Sequence, residues 1–210
     1  MTPLIEDKAL VLLQGDSITD GGRNYADGND LGTGYAMLVA AWFSAAYPEK
    51  RVRFINRGMG GNRVCDLKAR WQRDCLDLRP AWVSILIGVN DTWRRYDSNN
   101  PTPVEAFERD YRAILTAVHD RLKARLIICE PFLLPVPDDR IVWREDLDPK
   151  IAAVRRLALG FEAIYVPLDG LFAAAAAHRE PAFWLPDGVH PTPAGHALIA
   201  QAWLRTVVAL

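Results

Sequence analysis

The chain has 210 residues, half of them hydrophobic, with 25 Lys and Arg against 26 Asp and Glu. That length suits a single domain over 1–210, since two smaller domains would each have a marginal core. A net charge of −1 argues against a nucleic-acid or anionic-membrane partner, which calls for a basic surface, and no apolar run approaches the ~20 residues of a membrane span.

The first strand-like run is "ALVLLQ" (9–14), which stops at "GDSITD". A helical period follows over 34–47, then the strand "RVRFIN" (51–56), the loop "RGMGGN" and a helix over 62–78. The third strand, "WVSILIG" (82–88), leads into "VND", and Phe107, Tyr111, Ile114, Leu115, Val118 and Leu122 form one face of a helix over 104–123. "RLIICEP" (125–131) is the fourth strand, and the Pro- and Asp-rich stretch 131–149 reads as a long surface loop before a helix over 146–161. "AIYVPL" (163–168) is the fifth strand, the Ala-rich 172–178 a short helix, and 193–208 a last helix with Thr192 as N-cap and Pro193 at its first position. The strands are nearly continuous in Val, Ile and Leu, as in parallel sheets covered on both faces, so alternation with helices predicts a doubly wound α/β sandwich.

Ligands of such sheets lie beyond the carboxyl ends of the strands. Ser17, Gly61, Asn90, Asp187 and His190 all follow or approach such ends. Acyl transfer to water needs a nucleophile, a base, a group that orients the base, and donors for the oxyanion. Ser17 offers the hydroxyl, His190 a base in a Pro-flanked turn, and Asp187, three residues earlier, a carboxylate for the imidazole. The Gly61 and Ser17 backbone N–H groups and the Asn90 amide are candidate oxyanion donors. Each has a plainer reading. Ser17 with Asp20 fits the S-x-x-D capping box, worth ~1 kcal/mol. Asn90 and Asp91 fit an Asx turn, and Asp187 with His190 fits a surface ion pair. His119, His178 and His196 lie in helical stretches and read as packing or surface residues. Cys65, Cys75 and Cys129 lack metal-type spacing; the first two, about 15 Å apart on one helix at ~1.5 Å per residue, cannot pair, so a reduced, cytoplasmic chain is expected. The start "MTPLIEDKAL" carries no recognisable secretory signal.

"GDS", "NRGMGG", "GVND" and "DGVH" together, in this order along the chain, resemble the sequence blocks of the SGNH (GDSL-type) hydrolases. The resemblance implies a serine esterase on a three-layer α/β/α sandwich with a five-stranded parallel sheet in flavodoxin-like order. It places the nucleophile on Ser17, the acid and base on Asp187 and His190, and the oxyanion hole on Ser17, Gly61 and Asn90, with no cofactor or metal. Ile18 stands where the family name has Leu. "GDSITDGGR", "LGTGY", "DLKARW" and "GVNDTWRRYD" are similar to the branch containing intracellular acetylxylan esterases, which implies an acetylated sugar as substrate and a homo-oligomer. Asp16, Trp93 and Trp184 are the expected substrate contacts. A G-x-S-x-G elbow is missing because position 19 is Thr. A longer-chain lysophospholipase or thioesterase, and a non-catalytic carbohydrate-binding protein on the same scaffold, are the competing readings.

Overall fold

The computed structural model describes residues 2–207. Five strands, β1 (Leu10–Gly15), β2 (Arg53–Asn56), β3 (Trp82–Leu86), β4 (Arg125–Cys129) and β5 (Ile164–Val166), form one parallel sheet in the order β2-β1-β3-β4-β5. The helices are α1 (Ser17–Asp20), α2 (Tyr35–Ala46), α3 (Val64–Asp74), α4 (Val89–Asp97), α5 (Val104–Leu122), α6 (Arg144–Gly160), α7 (Leu168–Ala176), α8 (Pro181–Trp184) and α9 (Pro193–Thr206).

Strand side chains alternate between two cores, which is why the strands read as unbroken apolar runs. Val11, Leu13, Trp82, Leu86, Ile127 and Cys129 join one core with Phe43, Phe172 and Trp203 of α2, α7 and α9. Leu12, Val83, Ile85, Leu126 and Ile128 join the other with Trp71, Tyr111 and Leu157 of α3, α5 and α6. Both faces of the sheet are thus covered, giving the expected three layers. The chain goes from β1 outward to β2 and then crosses back to β3 on the other side of β1. Strand order reverses at the end of β1, and a crevice opens there. Ser17 lies at that reversal.

Three expectations need correction. The stretch 131–149 is not a surface loop. Phe132, Leu133 and Leu134 are buried, with the Phe132 ring 4.4 Å from that of Phe172. A 3-10 turn covers 138–143, and α6 begins at Arg144 with Pro149 inside it. The acidic residues Glu145 and Asp146 suit the first turn of that helix, and the proline obscured its early start. Asn90 and Asp91 lie in the first turn of a helix rather than in an isolated Asx turn. The Ala-rich segment starts its helix at Leu168, directly after β5. Among the described residues the three cysteines are free, with Cys75 and Cys129 buried, and no helix is long and apolar enough to cross a membrane.

Candidate active site

β1 delivers the chain into α1 through Asp16, which is the N-cap: its Oδ1 accepts the Ile18 N–H at 3.0 Å. Ser17 is therefore the first helical residue, not the cap, and its hydroxyl is free for other work. The Ser17 Oγ lies 3.0 Å from Nε2 of His190. Asp20 does not complete a capping box either. Its carboxylate accepts the Arg23 N–H at 3.1 Å and the Tyr25 hydroxyl at 2.6 Å, so it orders the loop after α1.

The turn before α9 supplies the opposing groups. Asp187 Oδ1 accepts the Val189 and His190 N–H groups at 3.0 and 2.7 Å, and its Oδ2 lies 2.7 Å from His190 Nδ1. A carboxylate can only accept, so Nδ1 carries the proton and Nε2 is left as an acceptor for the Ser17 hydroxyl. Burial alone would raise the Asp187 pKa, but the bonds from the His190 ring and the two amides outweigh it and hold the carboxyl far below its ordinary range. The same Asp187 bond raises the His190 pKa above 6.5 against partial burial.

The loop after β2 is held from several sides. Asn56 accepts the Gly58 N–H at 2.8 Å, and its Nδ2 reaches the carbonyls of Thr19, Asp20 and Leu31 at 2.6, 3.2 and 2.9 Å. The Met59 N–H donates to Gly15 O at 3.1 Å. Arg70 of α3 donates to Asn62 Oδ1 at 2.8 Å and to Gly15 O at 3.3 Å. From α4, Asn90 Nδ2 donates to Asn62 O at 3.1 Å. Two glycines are required by this packing. A Cβ on Gly58 would sit 2.3 Å from the Asp20 nitrogen, and Gly61 has φ +77°, in the left-handed region. Beside Asn90, buried Asp91 accepts the first N–H of α3, from Val64, at 3.0 Å, while burial pushes its carboxyl up to about 7.

A shallow cleft of about 270 Å³ brings Ser17, Gly61, Asn90 and His190 together, with Trp93, Arg94 and Asp97 as its wall. Trp93 also packs on the His190 ring, centroids 5.8 Å apart. Asp16 and Trp184, expected as substrate contacts, do not line it. Asp16, next to Ser17, is 1% exposed, and burial pushes its carboxyl up to about 7 against the Ile18 bond. Trp184 packs in α8 against Phe183, centroids 5.0 Å apart, and against the core. Trp93 is part of the cleft wall.

Sequence reasoning missed Asn56, Arg70 and His196. The Nδ1 of His196 accepts the first N–H of α2, from Tyr35, at 3.1 Å, taking over the role that Gly34 at the N-cap position has no side chain to fill. Burial and then the His190 charge hold its pKa down near 4, so it is a neutral acceptor. Asn56 had a signal, as it opens "NRGMGG"; Arg70 and His196 had none.

Comparison with known proteins gives the family. The family model for GDSL-like lipases and acylhydrolases matches residues 13–198. An acetylxylan esterase from Geobacillus stearothermophilus is 35% identical over 205 residues, covering 94% of this chain and 93% of that one. Its crystal structure superposes with a TM-score of 0.89 over 97% of this chain and 96% of that one, at 33% identity. A GDSL-like lipase from Parabacteroides merdae gives a TM-score of 0.94 at 33% identity, covering 98% of both chains. An alpha/beta hydrolase enzyme from the metagenome of Lake Arreo gives 0.92 at 32% identity, covering 100% of this chain and 99% of that one. The chain belongs to the GDSL-like lipase/acylhydrolase (SGNH) family and is a carboxylic ester hydrolase.

Proposed function

We propose that this esterase removes acetyl groups from short acetylated carbohydrates, xylo-oligosaccharides first among them, through a Ser17–His190–Asp187 triad. The observation that carries the reading is the unbroken line from the Ser17 hydroxyl to His190 at 3.0 Å and from His190 to Asp187 at 2.7 Å. His190 Nε2 takes the Ser17 proton as Oγ attacks the ester carbonyl, and Asp187 stabilises the imidazolium that forms. The N–H groups of Ser17 and Gly61 and the Asn90 amide receive the oxyanion, each worth about 10²–10³ in rate. The imidazolium then protonates the departing sugar hydroxyl, and water releases acetate from the acetyl-enzyme by the same route reversed.

The acetylxylan esterase similar to this chain over nearly its full length supports the substrate class. The small cleft supports an acetyl over a long acyl group, since its wall carries the charged side chains of Arg94 and Asp97. Acetate release from acetylated xylo-oligosaccharides, measured beside octanoyl ester hydrolysis, tests this. A preference for the octanoyl ester sinks the deacetylase reading. Ser17→Ala is expected to lower kcat on p-nitrophenyl acetate by at least about 10⁴-fold, and wild-type turnover by that variant sinks the mechanism. A homo-oligomer belongs to the same proposal and is tested by sedimentation.

A further inference from the structure

The loop that carries Gly61 also borders a second hollow, of about 540 Å³, at Met59. Its other walls include Arg23, Tyr25, Arg57 and Arg73. Arg23 is only 8% exposed, and its Nε donates to Gly58 O at 3.0 Å while its guanidinium lies 4.5 Å from the centroid of the Tyr25 ring. Its two terminal nitrogens have no hydrogen-bond partner among the described residues. Arg57 donates only to the carbonyls of Gly28 and Asn56, at a long 3.4 Å each. Neither guanidinium has a carboxylate partner among the described residues.

The carboxylates around the hollow, Asp74 in its own wall among them, already have partners. Asp74 is taken by Arg73, at 2.8 and 2.9 Å, and by Arg70 at 3.3 Å. Asp20 accepts from the Arg23 N–H and the Tyr25 hydroxyl, and Asp30 from the N–H groups of Asn24 and Gly32. Of the charged residues in the wall, Arg73 is thus paired with Asp74, while Arg23 and Arg57 are not. Burial and then the Arg57 charge pull the Arg23 pKa down, against the charges of Asp20 and Asp74. Two guanidinium forks with unused donors in a hollow suit a planar anion such as a carboxylate. Tyr25, 55% exposed, adds an aromatic wall of the kind that packs on sugar C–H groups.

We propose that this hollow is a carboxylate-binding site, anchored by Arg57 and Arg23, for an acidic sugar unit of the glycan or for the acetate that turnover releases. The acidic-sugar source rests on the proposed substrate class; the carboxylate site itself does not. Because Arg23 grips Gly58 and the hollow touches Met59, its occupant bears directly on the loop that presents Gly61 to the cleft.

The test is calorimetric titration of wild type, Ser17→Ala, Arg57→Met and Arg57→Lys with glucuronate, acetate and inorganic phosphate at constant ionic strength. One or both carboxylates should saturate wild type and Ser17→Ala alike, and the tighter one names the source. Arg57→Met should weaken that binding about tenfold or more, with Arg57→Lys, which keeps the charge and loses the fork, falling between. If Arg57→Met does not fold, as read by its melting curve, Arg57→Lys alone decides. The site is overturned if neither carboxylate saturates below about 10 mM, if phosphate binds better than both, or if neither Arg57 variant weakens binding. Binding to Ser17→Ala is read without turnover, so failure of the esterase reading and failure of this site remain separate results.

Discussion

The Ser17 side of the cleft relies on bonds between residues 25 to 55 positions apart in the chain, whereas the Asp187–His190 side is organised chiefly within four residues. Asn56, Arg70 and Asn90 together fix where Ser17 and the Gly61 loop stand relative to each other. Asp187, in contrast, organises its own turn through two backbone amides and spends its second oxygen on the His190 ring. The first side is buried and depends on the whole fold; the second is half-exposed and depends on one turn. Damage to the first should spread into stability, and damage to the second should stay in the chemistry.

Asp187→Asn gives the largest effect and isolates the self-contained side. The amide oxygen can still accept from Val189 and His190, so the turn survives, but the amide nitrogen cannot accept from Nδ1. The imidazole turns to the tautomer that has no acceptor for Ser17, and kcat is expected to fall by about 10⁴-fold with little change in the urea midpoint. A large loss of stability would contradict the contrast. Asn56→Ala tests the other side. It deprives three carbonyls and one amide of their partner, at a cost of about 3 kcal/mol in chemical denaturation, and kcat should fall with it because the Gly61 loop loses its seat. Loss of activity without loss of stability would show that the loop is held by Arg70 and Asn90 alone.

Besides the Ser17–His190 bond, a second bond ties the helix after the turn to the rest of the site: His196, on that helix, accepts the first N–H of α2. Its pKa falls from 6.5 to about 4 in the folded chain, so the neutral ring is the one that stabilises. That contribution is complete above pH 6.5 and is lost as pH falls through 4, amounting to about 2–3 kcal/mol. Melting temperatures across this range should drop more steeply in wild type than in His196→Asn, which offers an acceptor that does not titrate.

The same contrast explains what could be read in the residues beforehand. The five strands were legible because both faces of the sheet are buried and each strand is a short apolar run. The pairing of Asp187 with His190 in "DGVH" was legible because both residues and their turn form one local unit. Ser17 was ambiguous within its own segment because the actual cap, Asp16, is its neighbour, and the hydroxyl's partner lies 173 residues away. Arg70 and His196 gave no signal, since an arginine or histidine on a helix reads the same until another element is folded against it. The burial of Phe132, Leu133 and Leu134 was hidden for a related reason. Prolines at 131, 135 and 137 look like a loop, while the apolar residues between them are claimed by α7 and by the Gly188 carbonyl, which accepts the Leu134 N–H at 3.0 Å.

The acid–base turn is not wholly self-sufficient, and Arg140 sets the measure of that. Its guanidinium packs on both the Trp93 and Trp143 rings, 4.5 Å from each centroid, and a Cβ on Gly188 would come within 3.4 Å of its Cδ. It therefore packs both on the cleft wall and on the turn. Its charge opposes protonation of His190, while Asp187 and Asp16 favour it. Arg140→Met keeps much of the packing and removes the charge, so the His190 pKa should rise. In the proposed mechanism the neutral ring is the active form, so the acid limb of kcat/KM should move to higher pH, by a few tenths of a unit at a half-exposed site. If the limb stays in place while KM rises, Arg140 matters to the turn only as a wedge under Trp93. If the limb moves and KM does not, the turn is mechanically independent, and the distant field of the protein reaches it only through charge.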